Sequence, residues 1–238
     1  MKGGLAVIGL IAAIALDVAA QTPVDDGFVP ELAGAARVTA SLVTEQGLLP
    51  RPYLDYIANT TETEQRLAMY RNGLVVVSLI KGDVIVQKKV LFPPESVTEY
   101  ERVLSTTSLR EVRKMPLRGN PSKLRETIRI HDAEGKFEER VYDPSTVLPA
   151  AFDRQRDVLR DLFNMVWQDR ELTSPFIDYE PRAGDRLADY DLRVWTILRV
   201  HEDSGSIEVE DPKKLTRMFL KVDQLNDAFA GLAVNLPK

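Results

Sequence analysis

From Arg66 to Phe92 the chain reads RLAMYRNGLVVVSLIKGDVIVQKKVLF, three apolar runs separated by Asn72-Gly73 and by Lys81-Gly82-Asp83. An Asn-Gly pair between such runs is a strong hairpin signal, because a two-residue turn wants positive φ at both positions. The pattern predicts three antiparallel strands in a meander. Pro93-Pro94 ends the third strand and opens a helix, with Glu95 and Glu99 near its positive end and Val97, Tyr100 and Leu104 spaced three and four apart.

The layout recurs. After a loop rich in Pro and Gly (115–122), Leu124 to Ile130 and Phe137 to Tyr142 read as paired strands, and Asp143-Pro144-Ser145 leads into a long helix. In LPAAFDRQRDVLRDLFNMVW, Leu148, Phe152, Leu159, Leu162, Phe163 and Val166 form one face, with Asp153, Arg156, Asp157, Arg160 and Asp161 on the other. Arginines interleave with the aspartates, so that face reads as solvated ion pairs and not as a set of paired catalytic carboxylates. Upstream, Pro30 to Gln46 reads as a helix closed by Gly47-Leu48, although RVTASLV within it also fits a strand.

Past Thr173-Ser174-Pro175 the texture changes to short strand-like runs, YEPRAGDRLADYDLRVWTILRV and TRMFLKV, and then DQLNDAFAGLA, which reads as a closing helix from Asp223. The strand pattern is similar to that of a small SH3-like barrel, by analogy of spacing alone. The expected fold class is therefore α+β: an antiparallel meander with strand-strand-helix units repeated twice, and a small β-rich C-terminal module. The expected divisions are 1–20, 21–49, 50–175 and 176–238.

Two segments repeat in chemistry as well as in pattern. IRIHDAEGKFE (128–138) lies under LRVHEDSGSIE (198–208) with His131 over His201 and Gly135 over Gly205, and these are the only histidines in the chain. Each reads as a hairpin whose four-residue loop is a type I turn closed by a left-handed Gly. In that register Arg129 faces Glu138 and Arg199 faces Glu208 on the solvent side, while Ile130 with Phe137 and Val200 with Ile207 pair on the buried side. Paired-His and His-x-Glu-x-x-His spacings are absent, so metal binding at His131 and His201 requires the two loops to meet in space.

Composition narrows the setting. The chain has 238 residues, 44% hydrophobic and 28% charged, and a net charge of -5. That supports a packed core and argues against nucleic acid as a partner, since phosphate binding wants a basic stripe. There is no cysteine, which excludes disulfides, thiolate catalysis and thiolate-bound metal. The opening MKGGLAVIGLIAAIALDVAA has Lys2, an apolar run from Leu5 to Leu16, and Val18 and Ala20 before Gln21, the pattern of a cleaved export signal. A dozen apolar residues fall short of the roughly 20 that span a bilayer, so no transmembrane span is expected after cleavage. The mature chain keeps its charge of -5, because Lys2 and Asp17 leave together. Export without cysteine looks bacterial, and the expected location is periplasmic or extracellular.

No G-x-S-x-G elbow, S-x-x-K pattern, phosphate-cradling Gly-rich loop or dinucleotide fingerprint occurs, and no cofactor is expected. The remaining suggestive feature is aromatic: Tyr179, Tyr190 and Trp195 near Arg182 and Arg186, the residue types that line peptide-binding grooves and also ordinary cores. By alternation Trp195 falls out of phase with Val194, Leu198 and Val200, on the other face of its strand. The reading that follows is an exported, non-enzymatic module that binds a protein or cell-envelope partner. The alternative is a hydrolase or metal-dependent enzyme whose site assembles in the crevice between the two parts of the chain.

Overall fold

The computed structural model describes residues 29–38, 52–103, 125–131, 137–142 and 150–235. The expected signal segment, residues 39–49 of the leader, the 115–122 loop and the tip of the His131 hairpin lie outside them. The chain is mixed α+β with antiparallel sheets. Its first sheet contains β1 (Ala36–Arg37), β2 (Leu54–Asn59), β3 (Glu64–Met69), β4 (Leu74–Lys81), β5 (Val84–Leu91), β6 (Arg125–His131) and β7 (Phe137–Tyr142), in the order β1-β5-β4-β3-β2-β6-β7. The helices α1 (Pro94–Val103) and α2 (Ala150–Gln168) follow β5 and β7 in the chain. The two expected strand groups are not separate units: β2 pairs with both β3 and β6, fusing them into one sheet.

Cross-strand partners share a face, so the register defines the covered side of this sheet. Leu54, Met69, Val75 and Val90 form one row, Tyr56, Leu67, Val77 and Lys88 the next, and Ala58, Gln65, Leu79 and Val86 a third that continues into Glu126 and Tyr142. Val97 and Tyr100 of α1 and Leu159, Leu162, Phe163 and Val166 of α2 pack with these rows in the main core. Val97 and Tyr100 of α1 and the 159–166 part of the α2 stripe are thus buried as their spacing predicts, while Leu104, Leu148 and the Phe152 side chain lie outside what the structure describes. Two charged residues, Lys88 and Glu126, interrupt the covered face.

The second sheet contains β8 (Arg186–Asp189), β9 (Val194–His201), β10 (Ser206–Asp211), β11 (Thr216–Lys221) and β12 (Phe229–Leu232), in the order β11-β10-β9-β8-β12. It is open, with β11 and β12 at its edges, so the barrel-type closure is not formed among the described residues. The expected closing helix shrinks to α3 (Leu225–Ala228), after which the chain turns extended at Phe229 and becomes β12. Packing overrides helical spacing there. Phe229 and Ala230 are buried, and Gly231 lies so close to β5 that a Cβ would stand 2.7 Å from Val86 Cγ1. One residue later the chain enters β13 (Val234–Asn235), which pairs with β5 of the first sheet. A cluster of Val86, Ala188, Leu192 and Ala230 packs where the two sheets meet.

Turn chemistry departs from expectation at Asn72-Gly73. Only Gly73 has positive φ, at 90°, and Asn72 instead accepts a hydrogen bond from Leu74 N through its side chain at 3.2 Å. Gly73 is required for space as well, since a Cβ there would come within 2.2 Å of Phe92 O. In the leader, Ala36 and Arg37 form a short strand against Leu91 and Val90, so this part of the predicted helix is β.

The two histidine hairpins differ by one residue. In the second, His201 pairs with Ser206, Val200 with Ile207 and Arg199 with Glu208, and Gly205 closes the loop at φ 58°, all as expected. In the first, His131 pairs with Phe137, Ile130 with Glu138 and Arg129 with Glu139. The loop is therefore one residue longer, and the ion pair is Arg129 Nε to Glu139 at 2.6 Å, replacing the expected Glu138 partner. In the second hairpin the carboxylate of Glu208 is taken by Arg217 of β11 at 3.1 Å, and Glu208 is buried, not on the solvent side. A bulge at Leu198 also resets β9, so that Trp195, opposite Leu187, lies on the same core face as Ile197 and Val200 and packs edge-on against Phe229.

Candidate functional site

The site begins at the outer edge of β5. Two short strands cover the ends of this edge: β1 at Val90 and Leu91, and β13 at Val84 and Ile85. Between them Val86 to Lys89 has no strand partner on that side among the described residues. A cleft of about 400 Å³ opens against this stretch, walled by Gln87, Lys88 and Lys89, by Arg37 and Val38, by residues 172–175 and 177–179, and by Leu232. That volume suits a small ligand or a few residues of peptide.

Helix termination builds the opposite wall. The last carbonyls of a helix need partners from outside it. Here Thr173 Oγ1 donates to Val166 O at 3.0 Å and also bonds Asp169 O, and Lys88 Nζ donates to Trp167 O at 2.5 Å and Asp169 O at 3.3 Å. The Asp169 side chain accepts from Glu171 N and Leu172 N at 2.9 and 2.7 Å, turning the chain away from α2. Ser174 Oγ then bonds Asn226 Oδ1 at 2.6 Å, and Arg37 Nη2 lies 3.6 Å from Asp178 Oδ2. The segment from 169 to 179 is thereby tied to α2, to Asn226 in the short helix α3 (Leu225–Ala228) and to β1.

Lys88 is 4% exposed, and burial pushes its ammonium down to about 8, with Asp169 opposing the shift and Arg170 adding to it. Its Nζ also stands 5.4 Å from the centre of the Trp167 ring. A positive charge at the negative end of α2 is favourable, so the lysine acts as the helix's C-terminal cap. Sequence reasoning missed it. The signal was present, since Val84, Val86, Lys88 and Val90 alternate on one face of VIVQKKVL.

Of the residues singled out from sequence, Tyr179 lines the cleft. Its hydroxyl donates to Asp185 Oδ2 at 2.7 Å, and its pKa is raised by burial first and that hydrogen bond second. Arg182 is exposed beside Glu180, and Arg186 opens β8 opposite Thr196. Tyr190 donates to Asn226 O at 2.6 Å under the Arg170 guanidinium, and Trp195 Nε1 donates to Asp189 Oδ2 at 3.2 Å. Of these five residues, Tyr179 is the one that lines the β5 cleft. His131 and His201 stand outside the cleft. His201 Nε2 is buried without a hydrogen-bond partner, and its ring lies 6.3 Å from that of Phe219. Among the described residues no three His, Asp or Glu side chains gather as a metal site.

A second polar cluster lies under α2. Tyr56 donates to Glu126 Oε1 at 3.1 Å, while Glu126 Oε2 and Arg156 Nε are buried without hydrogen-bond partners. Asp153 and Asp157 hold the Arg156 guanidinium at 3.0 and 3.3 Å, turning it toward the helix surface. Burial, and then Glu126, raise the pKa values of Tyr56 and Tyr142. Comparison with family models, with curated proteins and with solved structures finds no match.

Proposed function

We propose that the protein is an exported, non-enzymatic module that holds a protein or cell-envelope partner in the cleft beside β5. The observation that carries this reading is the cleft itself, a pre-formed recess whose polar walls are already committed to structure. Thr173, Ser174 and Tyr179 are bonded into the fold, and Lys88 caps a helix, so the recess offers shape and charge in place of a nucleophile with its base. The export reading rests on residues 1–20. Among the described residues no helix is long and apolar enough to cross a membrane.

The test is photo-cross-linking in a bacterial envelope, with the reactive side chain placed at Ile177, which is 39% exposed in the cleft wall. The expected result is a discrete adduct that is lost when the same side chain is moved to Leu215, on the far edge of the second sheet. Equal adducts from both positions, or none from Ile177, would overturn the reading, as would fractionation of the chain with the cytoplasm.

A further inference from the structure

The open stretch of β5 has a defined main-chain polarity. Successive residues of a strand turn their N–H and C=O groups to opposite sides. Phe92 N donates to Gly73 O, on the β4 side, and Lys81 and Val84 are the paired residues that flank the two-residue turn from β4. Even-numbered residues of β5 therefore face β4, and odd-numbered ones face the outer edge. Of the outward set, Ile85 meets Val234 and Leu91 meets Ala36. Gln87 and Lys89 lie between them and line the cleft. The Gln87 side chain is occupied by Ser78 Oγ at 3.2 Å, which leaves its main-chain groups to the edge.

We propose that this stretch takes up a short, acidic, extended segment of a partner protein, which adds to the first sheet as a strand antiparallel to β5 between β1 and β13. The proposal rests on the binding reading above and specifies its mode. Main-chain bonds to Gln87 and Lys89 supply affinity, and alternate side chains of the guest supply selectivity. Among the described residues the unpaired stretch spans four positions, about 13 Å of strand, which limits the guest to roughly three paired residues. The apolar side chains open to the guest are those of Val38, Pro175 and Ile177. Charge selects the acidic guest. The cleft wall carries two accessible cations, Arg37 and Lys89, with the buried Lys88 behind them, against the single carboxylate of Asp178, in a chain whose net charge is -5.

The probe is the peptide acetyl-Thr-Val-Glu-Val-Thr-amide, titrated into the full mature chain while amide NMR signals are followed. Three comparison peptides are its lysine-for-glutamate version, a version N-methylated at the central residue, and a version with Pro at that position. The expected result is downfield shifts and slowed exchange at the amides of Gln87 and Lys89. The N-methylated and Pro peptides should bind about tenfold more weakly, the worth of one main-chain hydrogen bond, and the lysine peptide should bind several-fold more weakly. Gln87→Pro removes the outward donor while sparing the β4 ladder, since edge positions tolerate Pro where the N–H faces out. It should weaken the acidic peptide about tenfold. Lys89→Glu, which leaves the backbone intact, should reverse the preference for charge and keeps the test alive if Gln87→Pro does not fold. Equal binding of the N-methylated peptide, shifts confined to the β11 edge, or no shift at millimolar acidic peptide would each overturn strand addition. If the Ile177 cross-link still captures an envelope protein in those cases, the binding reading stands and only the mode fails. If that capture also fails, both fail.

Discussion

Lys88 and Glu126 are both charged side chains sunk into the covered face of one sheet, 4% and 6% exposed, yet they are satisfied by unlike means. Lys88 reaches the terminus of α2, where carbonyls without helical partners and the helix dipole accept an ammonium. Glu126 meets the flank of the same helix, where every main-chain group is already used. It receives a hydroxyl from Tyr56 on one oxygen and feels Tyr142 and the Arg156 guanidinium nearby, while its second oxygen lacks a close hydrogen bond. The contrast teaches that a buried charge finds main-chain hydrogen-bond partners where secondary structure ends, even when burial still disfavours its ionised form. In the middle of an element those partners are already taken.

The largest expected effect comes from breaking the satisfied member. Lys88→Ala should cost about 3 kcal/mol, combining unpaired carbonyls with a cavity. Lys88→Met, which keeps the stem, should cost about half of that, and urea denaturation of both variants measures the difference. Next in size is a pH effect. The Lys88 pKa lies near 8 in the folded chain against 10.5 for an ordinary lysine, so between these values the unfolded chain binds more protons. Stability should therefore be flat below pH 8 and rise with pH above it, by on the order of 2 kcal/mol by pH 9.5. Lys88→Met should abolish the rise. Above pH 10 the buried tyrosines oppose it, because Tyr56 and Tyr142 keep protons that the unfolded chain releases, so the measurement belongs between pH 7 and 9.5.

A smaller effect tests the other member. Glu126→Gln preserves an acceptor for Tyr56 and removes a buried charge, and it should leave the protein unchanged or more stable by about 1 kcal/mol. A melting temperature lower than wild type by several degrees would show that the carboxylate is compensated after all. The smallest effect is the exposed reference: Arg129→Ala breaks the 2.6 Å pair with Glu139, whose partners are each 37% exposed, and should cost less than about 1 kcal/mol in the same melts.

Much of this fold is legible in the chain. The meander from Arg66 to Phe92, the apolar stripe of α2 and the alternating ion pairs on its opposite face follow from local periodicity, which needs no knowledge of neighbours. What escapes depends on partners. β2 is short and carries Asp55 and Asn59 among its apolar residues, and it becomes a strand because β3 and β6 pair with it on both sides. Phe229 to Leu232 has helical spacing but is drawn into β12 by close packing at Gly231. The twin hairpins show the limit most clearly, since matching residues at 128–138 and 198–208 settle one residue out of register with each other. The candidate cleft was not legible, because its walls come from positions as far apart as 37, 88 and 178. Only Lys88 left a mark, as a polar break in an apolar alternation.

The crossing from β12 to β13 bears on how this chain could be divided. A fragment ending near residue 172 would keep both long helices and every hairpin of the first sheet, yet it would strip Val234 and Asn235 from β5 and bare the edge at Val84 and Ile85. An uncovered apolar edge invites pairing between copies. Such a truncation should be sticky even though no residue of its principal core has been removed.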